Sequence, residues 1–183
     1  MMLTARERRR FTTEEYLWLE ERSETKSEYL DGEIFALTGG SLAHAQIASN
    51  LIRELGLALK GTTCRVLGSD MRVYVQRSKL FTYPDVTVVR GPAVLLPGRK
   101  DTLCDARVIV EVLSPSTESY DRGEKFRLYQ KLPSLKEYVL VPQDSRAIEC
   151  WRRQGPRKWT AGEAPFSSLE IEVPVEALYD GVS

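Results

Sequence analysis

The chain is poor in residues that several enzyme classes require. Its 183 residues include one histidine, His44, which leaves a His-rich metallohydrolase without ligands. There is no GxSxG elbow and no glycine-rich P-loop, so esterase and kinase-type chemistry lack their parts. Cysteine is scarce: Cys64, Cys104 and Cys150 are odd in number and far apart, which argues for reduced structural thiols over a zinc knuckle or a disulfide framework. No apolar run approaches bilayer length, and MMLTARERRR has no apolar signal-peptide core, so the expectation is a soluble cytoplasmic protein with no membrane partner. Net charge is missing too. With 26 basic and 26 acidic residues, no global field draws the chain to nucleic acid, and only a local distribution of charge can do so. Two basic clusters stand out, Arg6, Arg8, Arg9 and Arg10 near one end and Arg152, Arg153, Arg157 and Lys158 near the other. Each reads as a solvated tail or strand edge before it reads as a backbone contact. The sole Gly-rich signal, Thr38-Gly39-Gly40-Ser41, is a turn before it is an anion loop.

What is present fits one globular domain over 1–183, with a core from about Phe11 to Arg152. Thr12 and Glu15 have capping-box spacing, with Phe11 and Tyr16 placed as a hydrophobic staple for a helix to about Glu21. KSEYLDGEIFAL is a hairpin around an Asp31-Gly32 primed turn, carrying Glu28 and Glu33 on its arms. Ser41 caps a helix to about Lys60, with Ala48, Leu51, Ile52, Leu55 and Leu59 on one face, His44 one turn ahead of it and Gly61 at its end. Met71, Val73 and Val75 alternate with Arg72, Tyr74 and Gln76, the pattern of a strand buried on one face only, and Asp70 reads as a turn residue. The 90–105 segment is a long loop that overhangs a site or lies at a subunit interface. EYVLV, Glu137 to Val141, suits a central strand parallel to the one before it, and Ala147 to Arg152 a further strand. Beyond Gly155 an edge strand near Trp159 and a last helical turn in VPVEALYD complete the pattern.

The chemistry concentrates between Tyr83 and Tyr129. Glu111 sits in an unbroken apolar run, Val108-Ile109-Val110-Glu111-Val112-Leu113, the mark of a strand covered on both faces. A carboxylate buried there unpaired costs several kcal/mol, so the fold must supply a cation, a metal ion or a raised pKa. Asp85 heads the preceding strand. Lys125 lies in line with Leu128, Tyr129 and Leu132 at i+3, i+4 and i+7, the core-facing stripe of a helix, so its ammonium points along the sheet and not into solvent. Two carboxylates and one lysine can hold a divalent cation, orient a water and offset charge on a phosphate. A structural ion-pair network has the same composition.

The runs YPDV, VEVLSPST and YDRGEKFRLYQKLPSLKEYVLV resemble the Uma-type family of restriction endonuclease-like proteins, within the PD-(D/E)XK nuclease superfamily. The resemblance covers the chain from about the first helix to the strand near Ile148. It implies an α/β (α+β) restriction endonuclease-like core, a central mixed β-sheet flanked by helices. It also implies a metal-dependent endonuclease, with DNA favoured over RNA as the nucleic-acid partner and a homodimer as the favoured assembly. Asp85 and Glu111 match the acidic positions and would bind Mg²⁺ or Mn²⁺, with the Val112 backbone carbonyl as a further ligand. One departure stands out: Leu113 occupies the position where the superfamily has its lysine, and Lys125 on the next helix is the matching cation. Glu28, by the same resemblance, and His44, as the sole histidine, form a second tier of candidates; the competing readings are a solvent-side strand residue and a first-turn packing residue. The alternative function is a catalytically inactive nuclease-fold module that binds nucleic acid or protein and keeps Glu111 and Lys125 as a buried ion pair.

Overall fold

The computed structural model describes residues 9–182; Arg6 and Arg8 lie outside them. The capping box forms, with the Thr12 hydroxyl accepting the Glu15 N–H at 3.1 Å and the Glu15 carboxylate accepting the Thr12 N–H at 2.8 Å, and opens α1 (Thr13–Glu20). Strands β1 (Ser27–Leu30) and β2 (Glu33–Ala36) follow, joined by Asp31 (φ 42°) and Gly32 (φ 103°) in the left-handed conformations that a primed turn demands. Ser41 caps α2 (Leu42–Ala58), which buries Ile47, Leu51 and Leu55. Ile52, expected on that face, is 38% exposed: the stripe runs through 47, 51 and 55 and leaves 52 at its edge, with its tip against Gly68.

Six strands come next, β3 (Cys64–Gly68), β4 (Arg72–Val75), β5 (Leu80–Thr82), β6 (Val86–Arg90), β7 (Thr102–Leu103) and β8 (Val108–Val112). A helical stretch then runs through α3 (Glu118–Tyr120), a π turn (Asp121–Lys125) and α4 (Phe126–Tyr129). The chain closes with β9 (Glu137–Val141), β10 (Glu149–Arg153), β11 (Trp159–Ala161) and α5 (Val175–Leu178). Two mixed sheets result, one of five strands in the order β2-β1-β5-β4-β7 and one of six in the order β11-β10-β9-β8-β6-β3. As the apolar run required, β8 is central, antiparallel to β6 and parallel to β9.

Alternate residues of β8 face two different cores. Val108, Val110 and Val112 pack with Ile47, Leu51 and Leu55 of α2. Ile109 and Leu113 pack with Phe126, Leu128 and Tyr129 of the second helix and with Val73, Val75 and Leu80 of the smaller sheet. Glu111 shares that second face, since side chains repeat every two residues along a strand. The expectation of a one-sided β4 fails. Arg72 is only 2% exposed, because the smaller sheet is covered on both faces and its guanidinium is held by Asp101 at 2.7 Å and lies near the rings of Tyr16 and Tyr83. The 90–105 loop is pinned to β4 through β7. Cys64, Cys104 and Cys150 are free, and among the described residues no helix is long and apolar enough to cross a membrane.

Candidate active site

The site forms where both faces of the larger sheet can be reached, at the C-terminal end of β8. In the register of β6 and β8, Val86 pairs with Val110, which puts Asp85 one place further along, level with Glu111. The Asp85 carboxylate accepts the Val112 N–H at 2.8 Å and so fastens the two acidic strand ends together. From the α2 side, His44 Nε2 lies 3.2 Å from Asp85 Oδ2. The Ser41 cap sets this arrangement, its hydroxyl accepting the His44 N–H at 3.0 Å. Gly40 makes room for the ring, because a Cβ there would stand 2.8 Å from His44 Nδ1.

From the opposite face comes Lys125, whose Nζ lies 3.0 Å from Glu111 Oε1, 3.1 Å from Glu28 Oε1 and 3.5 Å from Asp121 Oδ1. The π turn carries both Asp121 and Lys125, and such turns are frequent at functional sites. The Tyr129 hydroxyl donates to Glu111 Oε1 at 2.7 Å, and the Thr82 hydroxyl donates to Glu28. Glu28, on β1, thereby brings the smaller sheet into the site. Asp85, Glu111, Lys125, Glu28, His44 and Val112 all line one groove of about 850 Å³.

Three carboxylates share a single ammonium here, and the titrations follow. Burial raises Glu111 to about 8, with Asp121 and Asp85 adding to the shift while Lys125 and Tyr129 oppose it. Asp121 is raised for the same first reason. Burial alone would lower Lys125, but Glu111, Glu28 and Asp121 hold it well above the ordinary lysine range. The Asp85 hydrogen bond raises His44, against burial and helped by the Val112 carbonyl.

Every candidate site residue read from the sequence thus lines the groove, whereas Glu33 and Asp70 do not. Glu33 lies on the far arm of the hairpin, and Asp70 is a turn residue held by Lys26 at 2.7 Å. Sequence reasoning missed Asp121, Tyr129 and Thr82. Asp121 had a usable signal, since it precedes Lys125 by four residues and so shares its helical face. Tyr129 was legible only as a packing residue, and nothing local marks Thr82.

A sequence profile of the Uma2 family, described as "Putative restriction endonuclease", matches residues 13–181. Two proteins of Synechocystis sp. are similar along nearly their whole length. The protein slr1290 is 35% identical over 95% of this chain and 94% of its own, and sll1609 is 34% identical over 88% and 91%. Among solved structures, a protein of Anabaena variabilis titled "putative nuclease belonging to DUF820" superposes with a TM-score of 0.75 at 18% identity, covering 94% of this chain and 99% of that one.

Proposed function

Because this chain belongs to the Uma2 family of restriction-endonuclease-like proteins, we propose that it is a nuclease hydrolysing phosphodiester bonds, with DNA favoured over RNA and with Mg²⁺ or Mn²⁺ held by Asp85 and Glu111. The observation that carries the reading is a charge imbalance. Glu28, Asp85, Glu111 and Asp121 converge from four chain segments on one lysine and one histidine at the floor of an open groove. A network built only for stability would match acids with bases, since unmatched buried carboxylates are costly. An excess of acid at a groove calls for a cation.

The donor set fits a small hard cation. Asp85 Oδ1 and Glu111 Oε2 take no hydrogen bond among the described residues, and both side chains line the groove. No third Asp, Glu, His or Cys joins them in a metal-binding group among the described residues. The Val112 carbonyl and several waters would therefore complete the shell, as Mg²⁺ prefers. When bound, the metal lowers the pKa of a water and polarises the phosphate.

The chain's own residues supply the rest. Lys125 is fixed as a cation beside Glu111 and offsets negative charge growing on the phosphate. Tyr129 holds Glu111 in one orientation, leaving Oε2 free. His44 and the Val112 N–H fix Asp85 from two sides. Incubating plasmid DNA and structured RNA with the protein and Mg²⁺ or Mn²⁺ tests the reading. The native protein cleaves DNA, while Asp85→Ala and Lys125→Ala lose about 10²-fold or more. A native protein that binds DNA yet leaves it intact under both metals would instead support the inactive binding module.

A further inference from the structure

The groove described above is acidic, and a polyanion must find its cations elsewhere. At the other end of β8 and β9 lies a second concavity of about 430 Å³, built from the turn after β4, the segment between α4 and β9, and the turn after β10. Four of its nine lining residues are cations, Arg77, Lys131, Lys136 and Arg153, and none is acidic. In a chain of zero net charge this is a strong local excess.

Arg153 has a structural task. Its guanidinium donates to the carbonyls of Gln130, Leu132, Leu135 and Pro156 at 2.7 to 2.9 Å and stacks over Trp159. It satisfies carbonyls after α4 that the helix end leaves open, and it ties the three segments together. The other three cations have no such duty. Among the described residues, Arg77, Lys131 and Lys136 make no side-chain hydrogen bond and no ion pair, although Arg77 and Lys131 are exposed and free to reorient. Three unpaired cations around one hollow repel one another, a cost that an anion removes. The positive strip also continues beyond the hollow to Arg157 and Lys158, both exposed and without ion pairs among the described residues. One phosphate would occupy the hollow alone, whereas the strip matches a repeating charge.

The geometry points to a second nucleic-acid contact on this face, in which Arg77, Lys131 and Lys136 grip the phosphate backbone away from the catalytic groove. It rests on the nuclease reading for the identity of the polyanion. It separates binding from chemistry within one chain, because the acidic groove acts on the phosphodiester while this basic face supplies the sequence-independent affinity.

Fluorescence anisotropy of a labelled duplex oligonucleotide over a series of salt concentrations tests it, comparing the native chain with Arg77→Glu/Lys131→Glu/Lys136→Glu and with the milder triple Gln variant. The Glu variant is expected to bind at least tenfold more weakly and the Gln variant to fall between. The slope of log K against log salt should shrink by about two to three in the Glu variant. Melting at the native temperature shows that the loss is not unfolding. Unchanged affinity and slope in both variants, beside a native chain that binds, overturn this site and leave the nuclease reading standing. Loss of binding in the variants of a chain that never cleaves DNA supports the site and removes the nuclease. Competition by inorganic phosphate at concentrations that do not disturb the salt slope would assign the hollow to a free anion and overturn the backbone contact.

Discussion

At the scale of single residues, the site turns on how Glu111 is held. Its Oε1 is committed to Lys125 and to the Tyr129 hydroxyl, which leaves Oε2 without a hydrogen bond among the described residues. Tyr129→Phe removes a hydrogen bond to a buried carboxylate, worth about 1.5 to 3 kcal/mol. The expected outcome is a drop of about tenfold or more in metal-dependent cleavage, with the Mn²⁺ requirement shifted to higher concentration. Titrating the cleavage rate against Mn²⁺ checks it, and an unchanged metal curve would mean that Tyr129 only packs. The residue scale is also where the sequence was most informative. An acid inside VIVEV cannot be an ordinary surface residue, and a lysine aligned with Leu128, Tyr129 and Leu132 cannot point into solvent, so both were readable without a structure. Thr82 was not, because its role depends on a group that only the folded chain brings near: it meets Glu28 across 54 residues of sequence.

At the scale of elements, the N-terminus of α2 works as a mount for His44. The Ser41 cap, the close approach of Gly40 and the link from the Ser41 hydroxyl to Gln143 Oε1 at 2.5 Å together aim the imidazole at Asp85. Gly40→Ala would place a methyl carbon 2.8 Å from the ring, and the ring must swing away. Its pKa should then fall back towards the ordinary 6.5, a shift that NMR of the single histidine reports directly. Ser41→Ala should cost about 1 kcal/mol in chemical denaturation through the lost cap. A His44 titration identical in native and Gly40→Ala protein would show that the mount is not rigid. The caps and the primed turn were visible in local sequence, since each is written in neighbouring residues, and the parallel pairing of β8 with β9 was readable from the order strand, helix, strand. The π turn was not, and neither was the burial of Arg72. The burial of Arg72 follows from packing between segments distant in the chain, since Tyr16, Tyr83 and Asp101 gather around its guanidinium.

At the scale of the whole molecule, an acid-rich floor makes folding depend on pH. Glu111 rises from 4.5 to about 8, and Asp121 and His44 also lie above their ordinary values. Each such group takes up a proton on folding, so its contribution is complete below the unfolded pKa and is lost as pH climbs through the folded one. Stability should therefore decline between about pH 4.5 and 8, by up to about 1.4 kcal/mol per pH unit from Glu111 alone. Asp101, lowered first by its hydrogen bond from Arg99, has the opposite sign but acts below that window. Urea melts across the range should show a shallower decline for Glu111→Gln than for the native chain; parallel curves would mean that Glu111 is ionised throughout and fully matched by Lys125.

The most direct measurement is calorimetric titration with Mn²⁺ of the native protein, Asp85→Asn and Glu111→Gln, each verified as folded by its melting curve. One binding event per chain in the native protein, accompanied by a rise in melting temperature and abolished in both variants, is the predicted result. Equal binding in all three, or no binding in the native protein at millimolar Mn²⁺, would contradict the assignment of these acids as the cation site on which the proposed hydrolysis depends.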